Sequence, residues 1–272
     1  MKARNLFQIL GFRSKPKHYS YLKSEHLIDG EPILYYRWRH PIEIKKSINQ
    51  ASVDQYREIM GEGDFCIDLG AHTGDSTLPL ALAVGKSGHV LALEPNPFVY
   101  HVLEKNVRAN SKRVSITSVL AAAMAEEGFI EFEYSDSGFC NGGRHQDMSI
   151  FQHGHAFKQE VFGVDLVQEL DQAFAEWLPR LKFIKVDAEG YDLSILESIS
   201  DLVERCRPVI KAEIFSKTSP EYRKGMLTYF TSRNYALFRV GEDPIGKAEP
   251  ITEANLQQWR RFDVIGFPDQ MA

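Results

Sequence analysis

From Asp64 onward, short apolar runs alternate with helical stretches almost to the C-terminus. That alternation restricts the chain to an α/β fold, a mainly parallel sheet with helices on both faces. Phe65–Asp68, His89–Glu94, Val114–Val119, Leu181–Asp187, Pro208–Ile214, Tyr235–Val240 and Phe262–Gly266 read as seven core strands, and Gly128–Tyr134 alternates like a further one. Between them, Asn96 is suited to cap a helix and Pro97 to open it, with Phe98, Val102, Leu103 and Val107 as its apolar stripe. Pro79 is tolerable only near the start of the helix that runs to about Val84. Asp165–Trp177, the stretch from Asp192 and the stretch opened by Ser219-Pro220 read as further helices.

Residues 1–60 read as an N-terminal extension of strands plus a helix packing on the core, and 61–272 as the main domain with an inserted loop at 135–160. Pro32–Trp38 and Ile42-Glu-Ile44 have strand character. Ser52 with Gln55 predicts a capped helix through Met60. The chain of 272 residues is 43% hydrophobic, ample for a substantial core, and its net charge of −5 argues against a broad nucleic-acid footprint. No apolar run approaches the roughly 20 residues needed to span a bilayer. Met1–Arg13 is basic but lacks the apolar segment and cleavage site of a signal peptide. Cys66, Cys140 and Cys206 stand at unrelated spacings, so neither a disulfide framework nor a zinc knot is expected. Cys66 reads as a buried small hydrophobe. A reducing, cytoplasmic setting is the expectation.

The chemistry concentrates on Asp68-Leu-Gly-Ala-His-Thr-Gly74, where the first core strand turns into a helix. Ligands of an open parallel sheet sit at the carboxyl ends of its strands. Gly70 and Gly74 permit a tight turn and close backbone approach. The following helix, capped by Asp75 or Ser76, offers free N–H groups to a carboxylate. Glu94, 26 residues after Asp68, ends the second strand, where a carboxylate can accept both hydroxyls of a ribose. A pyrophosphate-binding loop would read G-x-G-x-x-G. Here the pattern is D-x-G-x-x-x-G, and Asp68 would repel a pyrophosphate but favour a sulfonium or an α-ammonium group. S-adenosylmethionine (SAM) carries both.

Three segments taken in order, Phe65–Gly74, Leu93-Glu-Pro-Asn-Pro97 and Phe183–Asp192 with its Asp187-Ala-Glu-Gly turn, resemble the FkbM family of methyltransferases over roughly residues 45–266. His72 stands where the family usually has asparagine, and Ala188 where it has a larger residue. The resemblance implies a class I methyltransferase, Rossmann-like sheet of seven strands in the order 3-2-1-4-5-7-6, the last antiparallel. It implies SAM as methyl donor, S-adenosylhomocysteine as product and O-methylation, often of sugar hydroxyls, polyketides or related secondary metabolites. By the same resemblance Asp68, Gly70, His72 and Gly74, with Ala71, Asp75 and Ser76 beside them, line the methionine end. Glu94 holds the ribose, with Pro95 and Asn96 beside the adenine, and Asp187 faces the sulfonium and the acceptor. The partner of the adenine amino group is expected near Ala122 and Ala123, where no acid stands.

An aliphatic hydroxyl is a poor nucleophile, so a base should take its proton. Asp187 and Glu189 are the first candidates. The alternative is that Asp187 caps the following helix and Glu189 orders the turn. Tyr191 is suited to pack beside a cation or simply to fill core, and Glu213 ends the fifth strand as either a ligand contact or an ion-pair partner. The loop at 135–160 carries Cys140, His145, Asp147, His153 and His155. His153 and His155 read as a base over the acceptor, as part of a metal site with Asp147, or as ordinary solvated histidines. A divalent metal is admitted but not called for. Lys185 and Lys211 read as lining sheet ends or snorkelling. The expected acceptor is a small molecule or glycan, with N- or protein methylation, or SAM binding without catalysis, as the alternatives. A homo-oligomer is compatible with the sequence.

Overall fold

The computed structural model describes residues 18–41, 43, 45–134, 157–216, 218–241 and 245–269. Its central sheet is built from β3 (Phe65–Leu69), β4 (His89–Leu93), β5 (Ile116–Val119), β9 (Leu181–Val186), β10 (Val209–Ile214), β11 (Tyr235–Val240), β12 (Lys247–Pro250) and β13 (Phe262–Pro268). From one edge the strands run β5-β4-β3-β9-β10-β13-β11-β12. The first seven, numbered along the chain as core strands, follow 3-2-1-4-5-7-6. β5, β4, β3, β9 and β10 are parallel, and β13 is antiparallel to β10 and β11. β12 adds an eighth strand on the β11 edge, one more than the sequence predicts.

Strand residues alternate between faces, so each core strand feeds two cores. Ile67, Leu69, Ile184, Val186, Ile210 and Ala212 bury one face under α4 (Leu166–Ala173), α5 (Asp192–Ser198), α6 (Ser200–Cys206) and α7 (Pro220–Thr231). Cys66, Phe183, Val209 and Ile265 bury the other under α1 (Gln50–Tyr56) and α2 (Thr77–Val84). Every residue of α2 is buried, which explains why its sequence has no polar stripe. Cys66 is fully buried, as expected of a small hydrophobe.

The extension forms a hairpin, β1 (Tyr21–Ile28) and β2 (Glu31–Trp38), whose Ile28, Ile33 and Tyr35 join the α2-side core. Its other edge meets α3 (Pro97–Asn110) through two asparagines one turn apart. Asn106 accepts from the Tyr36 N–H at 2.7 Å and donates to the Tyr36 and Thr73 carbonyls at 3.0 and 2.7 Å. Asn110 accepts from the Leu34 N–H and donates to the Leu34 carbonyl. The two carboxamides do for β2 what a neighbouring strand would, leaving its buried backbone satisfied.

Several boundaries differ from the sequence reading. Asn49, three residues before Ser52, caps α1 by accepting from the Ser52 N–H, and the helix ends at Tyr56. Glu43 is not in a strand, and residues 42 and 44 of that predicted segment lie outside the described residues. β6 (Ala122–Met124), β7 (Gly128–Tyr134) and β8 (Phe157–Asp165) form a second sheet, ordered β6-β8-β7. The inserted loop therefore ends before Phe157 rather than at 160, because β7 supplies an antiparallel partner for β8. Asp165 caps α4 through the Gln168 N–H instead of lying within it. Asn96 with Pro97, and Ser219 with Pro220, start α3 and α7 as their chemistry predicts.

Candidate active site

Register places Asp68 of β3 opposite Lys185 of β9, and Lys185 opposite Lys211 of β10. Paired residues of adjacent strands project to one face. A polar row thus crosses a face otherwise made of Cys66, Phe183, Val209 and Ile265. The Lys185 ammonium lies 3.2 Å from Asp68 Oδ1 and 3.3 Å from Asp187 Oδ2, and donates to the Gly70 carbonyl at 3.2 Å. Asp68 is completely buried, and its second oxygen accepts from the hydroxyls of Ser76 and Thr77 at 2.8 and 2.7 Å. It ties the first turn of α2 to the sheet. Burial works against the charge on Lys185, but Asp68 and Asp187 outweigh it and hold the ammonium well above its ordinary value. Burial would raise Asp187, yet the Lys185 ammonium keeps its carboxyl below the usual range.

The glycine loop is shaped by the same neighbours. Gly70 has φ +80°, and a Cβ there would sit 2.1 Å from the Asp187 carbonyl oxygen, so β3 and β9 can approach only through glycine. His72 has φ +51°, a left-handed conformation in which histidine and asparagine are enriched. That shared tolerance is compatible with histidine where the family resemblance leads one to expect asparagine. Its ring lies 3.4 Å from Lys46 Nζ and 3.6 Å from Glu43. Burial, then the Lys46 charge, pushes His72 down to about 3, so the ring is neutral near pH 7. Lys46 pairs with Asp75 at 3.0 Å and thereby latches the extension onto the loop. Ser76 occupies the N-cap position of α2, but its hydroxyl goes to Asp68 rather than to a cap hydrogen bond.

Below the loop, the Gly70 and Ala71 N–H groups donate to the Leu93 carbonyl, and Ala71 is buried. Glu94 accepts from the His72 N–H at 2.7 Å with one oxygen and from the Asn96 N–H at 2.8 Å with the other. Burial pushes Glu94 up to about 7 despite these two donors. Asn96 spends its side chain on the Phe98 N–H, and Pro95 is half-buried between them.

A cavity of ≈ 340 Å³ opens over the carboxyl end of the polar row, lined among others by Lys46, His72, Asp75, Lys185, Asp187 and Lys211. Gly70 and Ser76 also line it, whereas Glu94, Pro95 and Asn96 do not. Lys211 is paired with Asp263 of β13 at 2.9 Å. At the turn after β9, neither Asp187 nor Glu189 supplies the local order. Asp192 does, accepting from the Gly190 and Glu213 N–H groups, while Tyr191 holds the N-cap position of α5. Burial pushes Asp192 and Glu189 each up to about 7. Ala122 and Ala123 belong to β6 and are buried. His153 and His155, with Cys140, His145 and Asp147, lie outside the described residues. Among the described residues no cluster of His, Cys, Asp and Glu is arranged to hold a metal ion.

Sequence reasoning missed Lys46, Lys185, Lys211 and Asp263 as site residues. A signal was available for the middle two. A lysine among the buried apolar residues of a central parallel strand is costly unless an acid meets it. Lys185 and Lys211 each occupy such a position.

An open sheet of this order, with a glycine loop after its first core strand and an acid after its second, defines a class I methyltransferase fold. The Methyltransferase FkbM domain model matches residues 68–237, and the chain belongs to that family of SAM-dependent methyltransferases. Solved structures similar to it include the FkbM methyltransferase from Methylobacillus flagellatus, 14% identical, covering 80% of this chain and 51% of that one with a TM-score of 0.49. A SAM-dependent O-methyltransferase from Thermotoga maritima is 12% identical, covering 90% and 77%, with a TM-score of 0.40. Fibrillarin from Aeropyrum pernix with bound SAM is 13% identical, covering 92% and 85%, with a TM-score of 0.44. This chain spans about half the length of the Methylobacillus structure. A search of curated proteins finds no match. Among the described residues no helix is long and apolar enough to cross a membrane.

Proposed function

We propose that this chain transfers a methyl group from SAM to a hydroxyl of a small molecule, a sugar or glycan or a secondary metabolite. The observation that carries the reading is the junction of the glycine loop with β9, where Gly70 touches the Asp187 carbonyl and Asp187, Asp75, Lys46 and Lys185 surround one cavity.

That donor set fits the methyl donor. SAM presents a cationic sulfonium, an α-ammonium, a carboxylate and a ribose diol. Asp187, whose side chain is 43% exposed and ionised, suits a cation. Lys46 and Lys185 suit a carboxylate. Glu94 already accepts one N–H on each oxygen, and each oxygen keeps a second lone pair for a ribose hydroxyl. Gly70, Ala71, His72 and Gly74 would bring backbone alongside, and Asn96 with Pro95 would border the base. SAM supplies an electrophilic methyl group. The protein's contribution is alignment, exclusion of water and a place for the acceptor's proton.

Transfer of label from methyl-tritiated SAM to a panel of methyl hexosides and a catechol tests the reading. Label on oxygen is the expected result. Label confined to an amine offered in parallel would overturn it.

A further inference from the structure

Glu213 stands on the same face of β10 as Lys211, one step nearer the carboxyl edge, opposite Asp263 of β13 and within reach of the charge of Asp187, the residue after β9. Lys211, Asp187 and Asp263 line the cavity, and Glu213 is a neighbour of these lining residues rather than one of them. Glu213 itself is 3% exposed, yet among the described residues only one of its oxygens is used. Oε1 accepts from the Arg261 Nε–H, and Oε2 is buried with no hydrogen-bond partner among the described residues. A buried carboxylate oxygen left unpaired is costly, and a catalytic role is one of the reasons for which such a group is kept. Arg261 also reaches Glu189 at 3.8 Å, so one guanidinium on β13's approach steadies two carboxyl groups at the mouth of β9 and β10.

We infer that Glu213 Oε2 is the proton acceptor for the methyl-accepting hydroxyl, with Arg261 and Glu189 positioning it. This rests on the O-methyl reading above. In the step, the acceptor O–H bond breaks and its proton passes to Oε2. The oxygen forms the new O–CH3 bond, and the methyl–sulfur bond breaks with its electron pair remaining on sulfur, leaving neutral S-adenosylhomocysteine. The proton returns to water from Glu213 before the next turnover.

The charges facing Glu213 agree with that role. Burial, then Asp187 and Glu189 from the β9–α5 turn and Asp192 at the start of α5, push it up to about 8 against the opposing Arg261, and the Lys211–Asp263 pair and Tyr222 of α7 are its other charged or titratable neighbours. A base near neutrality combines a usable fraction of the ionised form with proton affinity. Asp187, held low by Lys185, is a poor proton acceptor by the same criterion.

Two measurements on the full chain test the assignment. Carbon-13 NMR of glutamate-labelled protein, assigned against Glu213→Gln, should show this carboxyl titrating near 8; titration in the ordinary carboxylate range overturns the proposal. With a hydroxyl acceptor from the panel above, Glu213→Gln should lower kcat by about 100-fold with unchanged SAM affinity and lose the rising alkaline limb. Glu213→Asp should recover part of the rate, and Arg261→Gln should move the limb to higher pH. A Glu213→Gln enzyme with wild-type kcat and pH profile overturns the proton-acceptor role alone. Wild-type labelling of amines but no hydroxyl overturns the O-methyl reading and this assignment with it.

Discussion

Asp68 and Lys185 are 117 residues apart in sequence and face each other in register across β3 and β9, joined at 3.2 Å at the floor of the cavity. Because Asp68 is completely buried, removing its cation leaves an uncompensated charge. Lys185→Met is expected to cost about 3–5 kcal/mol of stability. The double variant Asp68→Asn with Lys185→Met should cost less than the sum of the two single changes, by about 1–3 kcal/mol. Urea unfolding of the four proteins measures this, and strict additivity would contradict a coupled pair.

Gly70→Ala combines an unfavourable φ with a Cβ driven into the Asp187 carbonyl. The left-handed conformation alone costs about 1–2 kcal/mol, and the clash adds to it. The variant should melt well below wild type and lose SAM binding. A normal melting temperature would mean that β3 and β9 are not locked together at this point.

Asn106→Ala strands the Tyr36 N–H and the Tyr36 and Thr73 carbonyls at once. Each unmet buried group costs about 1–3 kcal/mol, so the hairpin should loosen from α3. Limited proteolysis should then cut within residues 18–45 faster than in wild type. Unchanged protection would show that apolar packing holds the extension without the amide pairing.

Asp192 gives a pH prediction with a definite sign. Burial raises its carboxyl from 3.8 to about 7 in the folded chain. The folded state therefore holds a proton that the unfolded state has released between those values. Its contribution to stability is fully present below pH about 4 and is lost as pH rises through about 7. Asp192→Asn should flatten that fall, by up to about 1.4 kcal/mol per pH unit. Stability curves of equal slope for the two proteins would contradict the assignment.

What could be read in advance follows from how local each determinant is. Asn96-Pro97 and Ser219-Pro220 start helices through chemistry contained in a few residues, and strand alternation announced the sheet. The glycine loop was legible because its φ demands fall on residues adjacent in sequence. Lys185 was not. Its meaning depends on Asp68 being opposite, and register is a tertiary fact. The same holds for Asn106, a polar residue on a helix until β2 is laid against it, and for β8, whose pairing with β7 overrides a polar, weakly periodic sequence. Lys46 lies before the matched family region and reaches the site only through the folded extension.

The proposed activity requires SAM to occupy the loop between Asp68 and Glu94. Calorimetric titration of SAM into the wild-type chain and into Glu94→Ala tests it most directly. One site is expected in the wild type, with affinity lowered at least about 10-fold in the variant, the loss of roughly one charge-assisted hydrogen bond. Equal affinity in the two proteins, or binding of NAD in place of SAM, would contradict it.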